Sequence, residues 1–162
     1  MDWKALLSAL AALYITAQRL WYSPRGTLLT AQDKAKFAGF FSPELLDSAR
    51  LAVLTEERVV NPSVYHAISF FDTIVARGPL TDGLLFHELV HLEQYRQLGI
   101  PRFSDLYVRG FLSRGVYAEI PLEQSAYALQ ARYEKDAARA FLVANEVAAS
   151  IAAGKFQDAT RV

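Results

Sequence analysis

His87-Glu88-Leu89-Val90-His91 sets two imidazoles four residues apart with a carboxylate beside them. The pattern lies inside a run from Leu84 to Leu98 that follows a Gly78-Pro79 break, with Thr81 and Asp82 as capping candidates, and that Gly99 and Pro101 bring to an end. The run predicts one helix of about four turns. On such a helix, residues at i and i+4 share a face one turn apart, so both imidazoles can converge on a single ion. With three histidines and nine glutamates among 162 residues, random placement gives about 0.003 patterns of this kind. That figure weighs against the bland alternative, two unrelated helix histidines exposed to solvent or packed in a core.

The remaining composition removes competing chemistries. Seventeen basic and 17 acidic residues cancel, and no basic cluster offers a stripe for tracking phosphates, so the reading includes no nucleic-acid partner. With no cysteine there is no disulfide framework, thiolate site or Cys nucleophile, leaving His, Asp and Glu as the available metal ligands. The apolar stretch from Leu6 to Ile15 is ended by Gln18 and Arg19, short of the roughly 20 residues of a membrane span. No integral membrane segment is expected. The start Met1-Asp2-Trp3-Lys4 lacks the basic character of a secretory leader and no small-residue cleavage site follows, which favours a cytoplasmic over a secreted chain.

Trp3, Leu6, Leu7, Leu10, Tyr14 and Trp21 recur at helical spacing, so residues 2 to 22 predict an amphipathic helix whose apolar face packs on the body. After the Ser23-Pro24-Arg25-Gly26 turn, a short helix is expected from Leu28 to Phe41, and a further helical turn after Pro43. Leu51-Ala52-Val53-Leu54 and Thr73-Ile74-Val75-Ala76 read as strands of a small sheet, separated by an Asn61-Pro62-Ser63 breaker. A mixed segment runs through Tyr117, and Pro121 opens a last helix toward Gly154 whose length permits a break. No repeat or flexible linker divides the chain. Residues 1–162 therefore read as one small α+β domain, mostly helical, with the 1–22 segment packed on it.

A catalytic zinc site needs three protein ligands and an open position. Beyond His87 and His91, the candidates for the third ligand are Glu123, Glu119 and His66. Glu123 is favoured, because Pro121 places it in the first helical turn, where the helix dipole supports an ionised carboxylate. Glu93 and Glu134 read as solvated helix faces. Tyr117, six residues before Glu123, is a candidate donor to a developing oxyanion. Its alternative is a packed aromatic. Gln94 and Tyr95, next to His91, could touch the metal shell, and Phe70-Phe71 reads as core.

Leu84 to Gln94 with its HExxH, followed by Glu123-x-x-Ala126, resembles the gluzincin clan of metallopeptidases. More narrowly, the chain is similar to the metallopeptidase core domain associated with bacterial extracellular contractile injection systems, over about Phe41 to Tyr133. The resemblance implies a zincin-like domain with the HExxH on its active-site helix, Zn2+ held by His87, His91 and Glu123, and Glu88 as general base. Many gluzincins carry an Asp four residues after the downstream Glu, orienting a ligand His. Here that position is Tyr127, whose phenolic oxygen could accept the imidazole N–H.

The function expected is zinc-dependent hydrolysis of a peptide or protein substrate, with Glu88 taking a proton from water and returning it to the leaving amine. Two alternatives remain open, a metal-binding structural or interaction domain without turnover and a metalloenzyme of other chemistry on the same ligands. Glu88 favours an enzyme, because a structural site has no use for a base beside an open position.

Overall fold

Thr81 starts the long helix. In the computed structural model, which describes residues 2–54 and 66–157, its Oγ1 accepts from the Leu84 N–H at 3.2 Å, and the helix, α4, spans Asp82–Arg114. Before it come α1 (Trp3–Tyr22), β1 (Thr27–Leu28), α2 (Ala31–Phe37), α3 (Pro43–Ser48), β2 (Arg50–Val53), β3 (Ala67–Phe70) and β4 (Thr73–Ala76). After it come α5 (Pro121–Lys135) and α6 (Val143–Ala152). The architecture is α+β and mostly helical, with one four-stranded mixed sheet of order β1-β2-β4-β3. The β2–β4 pair is parallel, and β1 and β3 pair antiparallel at the two edges.

Several elements differ from the sequence expectation, each for a local reason. Gly99 does break α4, with φ 71 and ψ 161, but helix resumes immediately over 100–114 where a mixed segment was expected. Pro101 sits in the first turn of that second arm, where a missing N–H is tolerated. The helix expected over 28–41 is confined to α2, because Thr27 and Leu28 pair with β2 and Thr30 caps at Asp33 N. The last helix is two, interrupted at 136–142, where Phe141 turns into the core and the Val143 N–H donates to Phe40 O at 3.0 Å. Strand β3 was not anticipated, since its turn into β4 lacks the usual Asn-Gly or Gly signal. Phe71 takes the positive φ of 65 in that turn. Phe70 is core, as expected, whereas Phe71 is half-buried. The Asn61-Pro62-Ser63 breaker lies outside the described residues.

The core centres on an aromatic cluster that fixes the rotation of α4. Phe86, fully buried, stacks on Tyr133 with centroids 4.5 Å apart and meets the edges of Phe40 and Phe41 at 5.5 and 5.1 Å. Burying such a side chain stabilises by about 2 kcal/mol, with roughly 1 kcal/mol more from the ring pairing. Because Phe86 directly precedes His87, the same packing sets where both motif histidines point. α5 approaches the second arm of α4 closely at Gly110, where a Cβ would lie 3.0 Å from Pro121 Cδ.

Helix α1 forms as expected but is turned the other way. Trp3, Leu13 and Leu20 are 57, 67 and 69% exposed, and Leu6, Leu10 and Trp21 are also exposed, so the apolar face looks outward. The inward face is narrower: Ile15 and the buried Tyr22 pack on the core, Tyr14 and Tyr22 meet the Phe70 ring, and polar contacts fasten the helix beside them. Ser8 Oγ donates to Asp105 Oδ1 at 2.9 Å, and Arg19 grips Asp72 with two bonds of 2.8 and 2.5 Å while lying over the Phe71 ring. No helix among the described residues is long and apolar enough to cross a membrane.

Burial works to raise the Asp72 pKa, but the hydrogen bonds and charge of Arg19, with help from Thr73 Oγ1, outweigh it and hold the carboxyl below the ordinary range. A depressed carboxylate contributes stability that is present above its unfolded pKa of about 3.9 and lost as pH falls through the folded value. Asp72→Asn is therefore expected to cost about 1 kcal/mol at pH 7 and progressively less below pH 4. Urea unfolding of both proteins at pH 7 and pH 3 checks this, and a pH-independent difference would exclude the ion pair as its cause.

Candidate metal centre

The first arm of α4 supplies His87 and His91, and the first turn of α5 supplies Glu123. All three are buried. His87 Nε2 and His91 Nε2 stand 3.1 Å apart, and Glu123 Oε2 lies 3.2 and 3.3 Å from them.

The outer nitrogens define the proton positions. His87 Nδ1 lies 3.1 Å from Gln130 Oε1, and His91 Nδ1 lies 2.8 Å from Gln94 Oε1. The amide orientations are not arbitrary, because Gln130 Nε2 donates to Glu134 Oε1 and Gln94 Nε2 donates to the Leu122 carbonyl, both acceptors. Each Nδ1 is thereby placed as a donor, which leaves Nε2 as the atom through which each imidazole would bind a metal. Three possible ligand atoms thus converge in a buried space that could hold a metal ion.

With a proton on His91, its Nε2 becomes a donor to Glu123. Burial alone would raise the Glu123 pKa, but the His91 charge and hydrogen bonds from His87, His91 and Tyr117 hold it well below the usual carboxylate range. Burial would lower His91, and Glu123 outweighs it, lifting the imidazole to about 9. The donor set also fits a divalent first-row ion such as zinc. Points 3.1 to 3.3 Å apart form one face of a tetrahedron whose centre lies about 2.0 Å from each, the length of Zn–N and Zn–O bonds. The fourth corner falls to none of the three.

Glu88 is also buried. Ser69 Oγ, on β3, donates to its Oε2 at 2.6 Å, and desolvation raises its pKa against the opposing pull of His91 and His87. Tyr117, in the turn Tyr117–Glu119 before α5, reaches the centre and hydrogen-bonds Glu123, and burial raises its pKa. Tyr107 from the second arm of α4 donates to Glu123 Oε1 at 3.3 Å.

The other candidates lie elsewhere. Glu119 and His66 are exposed and outside the His87–His91–Glu123 group. Glu134 is exposed, as expected, but its Oε1 is the acceptor that orients Gln130. Glu93 is not on a solvated face. It is buried, accepting from Gln97 Nε2 at 2.6 Å, because α6 packs over that side of α4 and Gln97 also donates to Ala144 O. The residue expected to orient a ligand His, Tyr127, meets His87 through its ring. Its ring tilts against the His87 imidazole at 4.5 Å, and Gln130, a turn further along α5, reaches His87 Nδ1. Sequence reasoning missed Gln130, Ser69 and Tyr107. Gln130, seven residues after Glu123, was the most accessible of these, since i+7 shares a helix face.

The fold and the centre define a small, mostly helical α+β protein with a buried His-His-Glu group that could hold a metal ion. Compared with protein-family models, characterised proteins and solved structures, the chain matches none. The metallopeptidase resemblance therefore rests on the site residues themselves.

Proposed function

We propose that the protein is a zinc-dependent hydrolase of peptide bonds, with His87, His91 and Glu123 as metal ligands and Glu88 as general base. The observation that carries this is the triangle of three converging ligand atoms from His87, His91 and Glu123 with a carboxylate outside it, on the residue after His87 in the same helix. A zinc ion there would supply a Lewis acid, acidifying a water molecule and polarising the scissile carbonyl. Glu88, raised by burial, accepts the proton from the attacking water and delivers it to the departing amine. Ser69 fixes the carboxylate in the orientation this requires. Tyr117 and Tyr107 hold Glu123 and stand ready as donors toward oxygen charge that develops in the transition state. β3 is a sheet edge beside the catalytic helix, the place where an extended substrate would lie.

Metal analysis of the purified chain, coupled to digestion of a peptide library, tests the proposal. The expected result is about one zinc per chain, with cleavage abolished by a chelator and restored by zinc. Failure to take up zinc would exclude the metal assignment, and zinc uptake without cleavage of any library member would favour a structural or other metal role.

A further inference from the structure

A cavity of about 230 Å³ opens beside Glu88, His91 and Glu123. One wall comes from Ala11, Tyr14 and Ile15 of α1, another from Ile68 and Phe70 of β3, and a third from Phe103 beyond the Gly99 break. α1 is fastened on either side of this wall by Ser8 with Asp105 and by Arg19 with Asp72. The three α1 residues are thus held over the cavity although most of the apolar face of that helix looks away.

Resting on the hydrolase reading, we propose that this cavity is a substrate subsite for one bulky apolar or aromatic side chain next to the scissile bond, and that Ala11, Tyr14 and Ile15 set its size. The volume is below the ~300 Å³ at which whole-ligand sites begin, so it suits a side chain more than an entire small molecule. Apart from Glu88, His91 and Glu123 themselves, its lining among the described residues carries no charged group, so an acidic or basic side chain would lose its water without gaining a partner there. Ala11 is the smallest of the wall residues, and its replacement by a larger side chain is the most direct way to reduce the space.

The test compares two zinc-directed probes of the full-length, zinc-loaded chain by calorimetry. Acetohydroxamate has no side chain, and 3-phenylpropanohydroxamate adds a phenyl group. Burial of that group predicts roughly ten- to hundredfold tighter binding of the phenyl probe. In Ala11→Phe this ratio is expected to fall toward one with zinc content unchanged. In Ile15→Ala, which removes bulk and does not overpack, a 3-(2-naphthyl)propanohydroxamate should gain relative to the phenyl probe. Equal affinities of the first two probes in the wild type, or an undiminished ratio in Ala11→Phe with no naphthyl gain in Ile15→Ala, would overturn the subsite while the metal centre stands. Absence of both zinc uptake and hydroxamate binding would overturn the hydrolase reading beneath it.

Discussion

Glu88→Gln is expected to keep its zinc and its fold while losing about 10²- to 10⁴-fold in hydrolysis, the contribution of a positioned general base. The amide preserves the shape of the side chain, and its oxygen can still accept from Ser69 Oγ, so nothing around it needs to move. What disappears is the ability to take a proton. Because burial penalises the ionised form of Glu88, the neutral amide is expected to leave thermal stability unchanged or slightly raised. Zinc content, melting temperature and turnover on a peptide identified from the library check the three parts together. Wild-type turnover in this variant would remove Glu88 from the mechanism.

The second large effect concerns Glu123. Glu123→Ala leaves two imidazoles, and structural zinc sites bind with about 10–16 kcal/mol over four ligands, so losing one ligand is expected to weaken affinity by roughly a hundredfold or more. Glu119→Ala and His66→Ala are expected to bind zinc as the wild type does, since both side chains are exposed and lie outside the group. Competition against a chelator of known affinity at fixed pH, with circular dichroism on each variant, gives the comparison. A loss confined to Glu119→Ala or His66→Ala would transfer the third ligand to that residue.

The centre was more legible in the sequence than its supports. His87, Glu88 and His91 announce themselves by local spacing on one helix, and Glu123 by its place two residues after the proline that opens a helix. Ser69 and Tyr107 carry no such mark, because what places them is tertiary: the pairing of β3 with β4, and the resumption of helix after Gly99. α1 shows a different limit. Periodicity identified an apolar face, but it says nothing about which way a helix turns, and α1 faces inward with Ile15, Tyr22 and the polar contacts of Ser8 and Arg19 to Asp105 and Asp72. The break before α6 was permitted by length, yet its location depends on Phe141 finding the aromatic cluster.

The two glutamines behind the histidines have a consequence for the charge of the centre. A carboxylate in either place would share negative charge with its imidazole and make the ligand more basic. An amide does not ionise, so Gln94 and Gln130 orient their rings without adding a charge of their own to the centre. The formal negative charges in contact with the group are then those of Glu123 and Glu88, one each. A divalent ion between neutral imidazoles would balance them to zero, and a proton on His91, whose pKa is lifted to about 9, otherwise offsets one of them. Zinc would then compete with that proton, so its affinity is expected to rise with pH.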